Sequence, residues 1–148
     1  MKAGDLVFVR TKGIIPSIIR YFDKGKFNHV AIAYSETQIL EVDFDSCVRI
    51  VTLPYEDVEV VPIPLKDITL LENFGKKYIG KKYDFGQIFR IWVRLVFGFK
   101  WLNRYNNARE VICSELAGEY LQCIGLAYKG EELLAPNELY KDIKNKGY

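Results

Sequence analysis

The stretch at residues 111–121 constrains the fold of this chain most, because it predicts a helix with one buried stripe and a cysteine at its start. Apolar side chains recur along it at helical spacing: Leu116, Ala117, Tyr120, Leu121 and Ile124. Cys113 lies in the first turn, where unpaired backbone N–H groups and the helix dipole favour thiolate over thiol. Cys113 is therefore a candidate nucleophile, although a free cysteine can equally serve as a small core side chain.

The composition limits the partners that such a cysteine can have. The chain contains one histidine, His29, so any Cys–His chemistry must use it and no histidine-rich metal site can form. The three cysteines Cys47, Cys113 and Cys123 are odd in number and lack CxxC spacing, which argues against a disulfide framework and a zinc site. The formal net charge of +2 is too small to indicate nucleic acid. We expect no metal, no cofactor and no nucleic-acid partner.

Length and hydrophobicity favour a single domain spanning residues 1–148. A chain of 148 residues that is 49% hydrophobic can bury one core and is too short for two ordinary domains. The charged residues Asp5, Arg10 and Lys12 interrupt the apolar runs near the start, so no signal peptide is predicted. We expect a cytoplasmic protein with reduced thiols.

Short apolar runs in the first half of the chain predict strands at residues 6–10, 27–34, 38–44, 48–53 and 58–63. Only a turn at residues 35–37 separates the second run from the third, which predicts a hairpin. Pro62 indicates that the last strand lies at an edge or ends there. Helices are predicted near residues 14–22, at 67–78 with a possible start at Thr69, and after the turn at 133–140.

The predicted hairpin brings a histidine and an acid together. His29 shares a strand face with Ala31 and Ala33, whose small size leaves room for another segment to pack there. Glu41 on the next strand can lie across from His29, where its carboxylate would orient the imidazole ring and stabilise imidazolium. Asp43, on the same face as Glu41, competes for this role. A half-buried structural histidine beside solvent-facing acids would show the same pattern.

Residues 88–102 form an apolar segment interspersed with Arg90, Arg94 and Lys100. The segment is too short and too charged to span a membrane. It is either a core helix whose arginines extend towards solvent or a surface that contacts a membrane or a partner. The second interpretation leaves open a non-catalytic binding module in which Cys113 is part of the core.

Four stretches, in this order, resemble one known family: Gly4-Asp5-Leu6-Val7, Phe27-Asn28-His29-Val30-Ala31-Ile32, Ile39-Leu40-Glu41 and Ile112-Cys113-Ser114-Glu115-Leu116. The chain resembles the NlpC/P60 superfamily of papain-like cysteine hydrolases. Within it, the likeness is to the circularly permuted branch that includes the YiiX/YebB-like proteins and is related to lecithin–retinol acyltransferase. Histidine precedes cysteine in that branch, as it does here, and the resemblance covers residues 4–140.

The resemblance implies an α+β, permuted papain-like fold with a small, mostly antiparallel sheet or open barrel packed on the Cys113 helix. It also implies that Cys113 is the nucleophile, His29 the base and Glu41 the third member of a triad. The loop at residues 80–86 resembles a Gly-x-x-Tyr-x-x-Gly loop of the unpermuted members, which would place the Tyr83 hydroxyl near the oxyanion.

The activity that follows is cleavage of an amide bond through an acyl-thioester intermediate. The resemblance suggests a peptidoglycan-type peptide, another cell-wall fragment or a lipid-linked acyl group as substrate, with peripheral membrane contact at residues 88–102 in the last case. A thiol acyltransferase or lipase is the alternative within the same chemistry. A binding module, or a retained fold without catalysis, is the alternative outside it.

Overall fold

A computed structural model describes residues 1–12, 25–43, 46–83, 110–126 and 135–148, without the side chains of Tyr83, Glu110 and Val111. The helix predicted near residues 14–22 and the segment 88–102 lie outside the described residues.

Five short strands form one antiparallel sheet in the order β4-β3-β2-β1-β5. They are β1 (Leu6–Val9), β2 (His29–Ala33), β3 (Gln38–Glu41), β4 (Arg49–Thr52) and β5 (Val58–Val61). Each strand is shorter than the apolar run that predicted it. The hairpin of β2 and β3 is confirmed by the pairing of Ile32 with Leu40, and β5 lies at an edge, as Pro62 predicted.

Both faces of the sheet are buried, each by a different part of the chain. Side chains alternate between faces along a strand. One face, here called the helical face, packs against the helices and carries Leu6, Phe8, Val30, Ile32, Leu40 and Val42. The other, here called the crossover face, carries Val7, Val9, Ala31, Ala33 and Ile39, and is covered in part by Leu53 and Tyr55.

The connection from β4 to β5 explains how the crossover face is covered. All neighbouring strands are antiparallel, so the two edge strands β4 and β5 run in the same direction. Residues 53–57 must therefore cross both the width and the length of the sheet. We call residues 53–57 the crossover.

Three helices are described: α1 (Ile68–Tyr78), α2 (Cys113–Cys123) and α3 (Pro136–Asn145). Helix α1 begins after Asp67, whose carboxylate accepts a hydrogen bond of 2.9 Å from the N–H of Thr69, so Asp67 caps the helix that Thr69 was expected to start. Helix α2 packs against β2, α1 and α3. Its predicted stripe is buried except for the half-buried Ile124 at its end.

A short parallel pair of strands leads into α2. The chain forms β6 (Lys82–Tyr83) where the sequence predicted only a loop, and β6 pairs with β7 (Glu110–Val111). The loop prediction was wrong here because the partner of β6 is distant in sequence and therefore leaves no local signal. Through this pairing the backbone of Tyr83 lies beside Val111, two residues before Cys113.

The Gly4-Asp5 stretch ties the start of β1 to helix α2. Gly4 has a φ of +94°, and a Cβ there would lie 2.7 Å from the hydroxyl oxygen of Tyr120. That hydroxyl donates a hydrogen bond of 3.1 Å to the Gly4 carbonyl. The N–H of Gly4 in turn donates to the carbonyl of Ala33, at the end of β2. A side chain at position 4 would therefore separate α2 from the two central strands.

Candidate active site

Cys113 is the first residue of α2 and is buried, with 7% of its surface exposed. Ile112, which precedes the helix, has no polar side chain to cap it, and its own backbone N–H donates a hydrogen bond of 3.5 Å to the Glu115 carboxylate. The other two cysteines, Cys47 and Cys123, are exposed, and all three thiols are free. The only buried thiol of the chain therefore lies at the positive end of a helix.

His29 begins β2 and contacts a buried carboxylate. Its Nε2 atom lies 3.1 Å from Oε2 of Glu41, and the two side chains are 7% and 0% exposed. The register of β2 and β3, extended by one pair, places Glu41 opposite Ala31 and diagonal to His29. The hairpin thus places Glu41 across from His29, as expected, but on a diagonal rather than directly opposite. The contact still forms, because a glutamate side chain is long enough to bridge a diagonal pair.

Two further donors hold the Glu41 carboxylate. The Tyr55 hydroxyl donates a hydrogen bond of 2.8 Å to Oε2, and Nη2 of Arg49 donates one of 3.3 Å to Oε1. Burial alone would raise the pKa of Glu41, but hydrogen bonds from His29, Tyr55 and Arg49 outweigh it and hold that pKa below its usual range. Glu41 is therefore a buried carboxylate that stays ionised.

The imidazole of His29 lies between Cys113 and Glu41, and both neighbours raise its pKa. Burial would lower this pKa, but hydrogen bonds and charge interactions with Cys113 and Glu41 raise it from 6.5 to about 10. Because Nε2 faces Glu41, Nδ1 is the ring nitrogen left for the thiol. Cys113, His29 and Glu41 therefore lie next to one another in this order, an arrangement here called the row. Cys113 on one side of His29 and the Glu41 carboxylate on the other both stabilise the imidazolium form.

The other two residues singled out from the sequence lie differently. Asp43 is half-buried just beyond the end of β3, where its backbone N–H donates a hydrogen bond of 3.0 Å to Oγ of Ser46. The contact with His29 is made by Glu41. The backbone of Tyr83 lies in β6 next to the strand that leads into Cys113. The side chain of Tyr83, and with it the hydroxyl, is not among those that the structure describes.

Sequence reasoning missed three residues that hold the row in place. Tyr55 and Arg49 act on Glu41, and Asn137 acts on the backbone that leads into His29. The side chain of Asn137 donates a hydrogen bond of 2.6 Å to the Phe27 carbonyl and accepts one of 2.8 Å from the Phe27 N–H. Tyr55 gave no periodic signal, because it lies in a short loop.

Comparisons with known proteins agree with this architecture at the level of the fold. No family model matches the sequence, and no curated protein matches it. The structure is similar to the crystal structure of metalloprotein YiiX from Escherichia coli O157:H7 (DUF1105), with a TM-score of 0.57 and 17% sequence identity. The match covers 84% of this chain and 66% of YiiX, so about a third of YiiX has no counterpart here.

The likeness defines this chain as an α+β protein with a YiiX-like fold. At 17% identity the likeness concerns the fold alone, so the chemistry of the site has to be argued from the residues of this chain. In the residues that the structure describes, no helix is long and apolar enough to cross a membrane.

Proposed function

We propose that this protein is a cysteine hydrolase that cleaves an amide bond through an acyl-thioester intermediate. The observation that carries the proposal is the buried row of Cys113, His29 and Glu41, in which the pKa of the only histidine rises to about 10. A histidine that merely fills space in a core gains no such stabilisation of its charged form. The row has the arrangement of a nucleophile, a proton carrier and an orienting carboxylate.

Acylation follows from the geometry of the row. The Cys113 sulfur, present as thiolate beside imidazolium, attacks the carbonyl carbon of the amide and forms a C–S bond. The negative charge moves to the carbonyl oxygen, where backbone N–H groups at the start of α2 can donate to it. His29 then gives its proton to the amide nitrogen, the C–N bond breaks, and the amine leaves. A thioester on Cys113 and a neutral imidazole remain.

Hydrolysis of the thioester uses the same groups in reverse. Neutral His29 takes a proton from water as the water oxygen attacks the thioester carbon. The C–S bond breaks, a carboxylic acid leaves, and Cys113 and His29 return to the ion pair. Throughout both steps Glu41 keeps the imidazole ring oriented and balances its positive charge.

Two substrate classes agree with the family resemblance, a peptidoglycan-type peptide and a lipid-linked acyl group. The YiiX structure is titled as that of a metalloprotein. In the residues described for the present chain, no group of three or more His, Cys, Asp or Glu side chains is arranged to hold a metal ion.

The proposal can be tested with an activated ester, because the acyl-enzyme does not depend on knowing the natural substrate. We expect p-nitrophenyl acetate to acetylate Cys113 faster than Cys47 or Cys123, with a burst of p-nitrophenolate, and we expect hydroxylamine to remove the acetyl group. Peptide mass spectrometry locates the acetyl group. In the His29→Ala variant, Cys113 should lose its advantage over Cys47 and Cys123. Equal labelling of the three thiols in the wild type would contradict the proposal.

The same assay separates a hydrolase from a thiol acyltransferase. An added primary amine competes with water for the acetyl-enzyme. We expect acetate as the main product for a hydrolase, whereas a dominant acetyl-amide at low amine concentration would identify an acyltransferase. Cys113→Ala is the control, since loss of its small side chain should leave the fold intact while abolishing both products.

A further inference from the structure

The crossover at residues 53–57 places an aromatic hydroxyl on the carboxylate that faces His29. We propose that Tyr55 is a positioning residue, which fixes Oε2 of Glu41 and through it the imidazole ring of His29. This inference rests on the proposed function, and it adds a fourth residue to the row from a segment that carries no recognisable motif.

Two donors meet on one oxygen of the Glu41 carboxylate. Oε2 of Glu41 accepts the Tyr55 hydroxyl at 2.8 Å and lies 3.1 Å from Nε2 of His29. Oε1 is held separately by Arg49. A carboxylate held at both oxygens cannot rotate about its terminal bond without losing a charge-assisted hydrogen bond. The oxygen that orients His29 is therefore fixed in direction as well as in distance.

The ring of Tyr55 also contacts His29. It meets the imidazole of His29 edge to face, with ring centroids 5.6 Å apart. Tyr55 is itself half-buried, yet Glu41 beneath it is fully buried. The ring thus covers the carboxylate while the hydroxyl provides the hydrogen bond that water would otherwise make.

Small side chains on the sheet leave room for Tyr55. Ala31 and Ala33 lie on the crossover face, in the cluster against which Leu53 and Tyr55 pack. Larger side chains on those two positions would occupy the volume that the crossover needs. The sequence therefore keeps two small residues next to its only histidine for a physical reason.

Charged and titratable groups reach Glu41 from three directions: His29 from β2, Arg49 from β4 and Tyr55 from the crossover. Cys113 on α2 acts on the other side of His29, and Asp43 faces Tyr55 from the end of β3. Each of the three donors to Glu41 favours its ionised form. Removing one donor should therefore make Glu41 easier to protonate. As the pH falls, Glu41 should then lose its charge at a higher pH than in the wild type and cease to stabilise the imidazolium of His29.

The test compares Tyr55→Phe with Tyr120→Phe. Both variants keep the aromatic ring and lose one phenol hydrogen bond, but the Tyr120 hydroxyl donates to the Gly4 carbonyl in the core, away from Glu41. One readout is the 15N-edited NMR signal of the His29 ring N–H, which is unambiguous in untagged protein because the chain contains one histidine. The other is the rate at which iodoacetamide alkylates Cys113 as a function of pH.

We expect Tyr55→Phe to broaden or remove the ring N–H signal and to shift the acid side of the alkylation profile upward by about one pH unit, a tenfold effect. Tyr120→Phe should leave both readouts unchanged. A sharp N–H signal and an unshifted profile in Tyr55→Phe would overturn the positioning role. Loss of the signal in Tyr55→Phe supports that role even if wild-type Cys113 is no more reactive than Cys47, a result that would instead overturn the proposed function.

Discussion

The helical face and the crossover face of the sheet are both buried, but they are built from different side chains. On the helical face, large apolar residues such as Phe8, Ile32 and Leu40 fill the space between the strands and the helices. On the crossover face, Ala31 and Ala33 belong to the cluster against which Leu53 and Tyr55 of the crossover pack. The same strands therefore present large side chains on the helical face and leave room for the crossover on the other.

The difference has a consequence for polar groups. The crossover face carries His29 and Glu41 within one sheet surface, and the crossover adds Tyr55 and its hydrogen bond. A buried carboxylate is costly unless donors surround it, and here three donors do so. The helical face is therefore packed by large apolar side chains, whereas the crossover face carries His29, Glu41 and Tyr55 beside its own smaller apolar cluster. Cys113 reaches His29 from helix α2, whose side chains belong to the cluster of the helical face.

Of the substitutions considered, Glu41→Gln should disturb the polar groups of the crossover face most. The amide removes the charge that balances imidazolium and leaves the donors of Tyr55 and Arg49 poorly matched. We expect the reaction of Cys113 with iodoacetamide near neutral pH to slow by about two to four orders of magnitude, as for other orienting carboxylates. Asp43→Asn is the matched control and should react like the wild type. An equal loss in both variants would return Asp43 to consideration as the orienting acid.

Substitutions on neighbouring positions of β2 should separate stability from reactivity. Ile32→Ala, on the helical face, should lower the free energy of unfolding by about 2–5 kcal/mol through a cavity. It should slow the alkylation of Cys113 less than Ala31→Leu does, because it leaves His29, Glu41 and Tyr55 in place. Ala31→Leu, on the crossover face, should cost about 1–3 kcal/mol by overpacking and should also slow alkylation by displacing Tyr55. Urea unfolding and peptide mass spectrometry give the two quantities. If Ile32→Ala impairs alkylation as strongly as Ala31→Leu, the two faces are not functionally distinct.

The pH dependence of stability should reveal the row as well. The pKa of His29 is raised from 6.5 to about 10 in the folded protein, so its stabilisation is complete below pH 6.5 and is lost as the pH rises through about 10. The lowered pKa of Glu41 acts at the other end, with its stabilisation lost as the pH falls below the usual range of a glutamate. The unfolding free energy of the wild type should therefore exceed that of His29→Ala most at pH values above the usual range of a glutamate and below 6.5, where both contributions are complete. A constant difference across the range would contradict this assignment.

Arg49→Gln should have the smallest effect. Arg49 lies 3.3 Å from Oε1 of Glu41, but its side chain is 47% exposed, so solvent screens the pair. We expect a loss of about 0.2–1 kcal/mol in unfolding free energy and a modest slowing of alkylation, less than in Tyr55→Phe. Thermal unfolding and the alkylation assay measure both. An effect of Arg49→Gln larger than that of Tyr55→Phe would shift the positioning role from the crossover to β4.

The strands of the sheet were predictable because each is a short apolar run with a turn beside it. The order of the strands was not. Strands that follow each other in sequence usually lie side by side, yet β5 pairs with β1 and lies at the opposite edge from β4. Nothing within residues 53–57 signals that the segment crosses a sheet, because its partners are supplied by β1, β2 and β3.

The same limit applies to the site. Cys113 and His29 could be chosen from the sequence because one is at a helix start and the other is the only histidine. Alternation along β3 placed Glu41 and Asp43 on one face but could not choose between them. The choice depends on the register of β2 and β3 and on donors from Arg49 and Tyr55, which only the folded sheet brings together.

The central claim is that Cys113 and His29 form a thiolate–imidazolium pair, and the most direct test is alkylation of all three cysteines by a limiting dose of iodoacetamide across a pH series. Cys47 and Cys123 are free and exposed, so they serve as internal controls. We predict that Cys113, although buried, reacts faster than both below neutral pH and that His29→Ala abolishes this advantage. If Cys113 reacts no faster than the two exposed thiols at any pH, or keeps its advantage in His29→Ala, the pair does not exist.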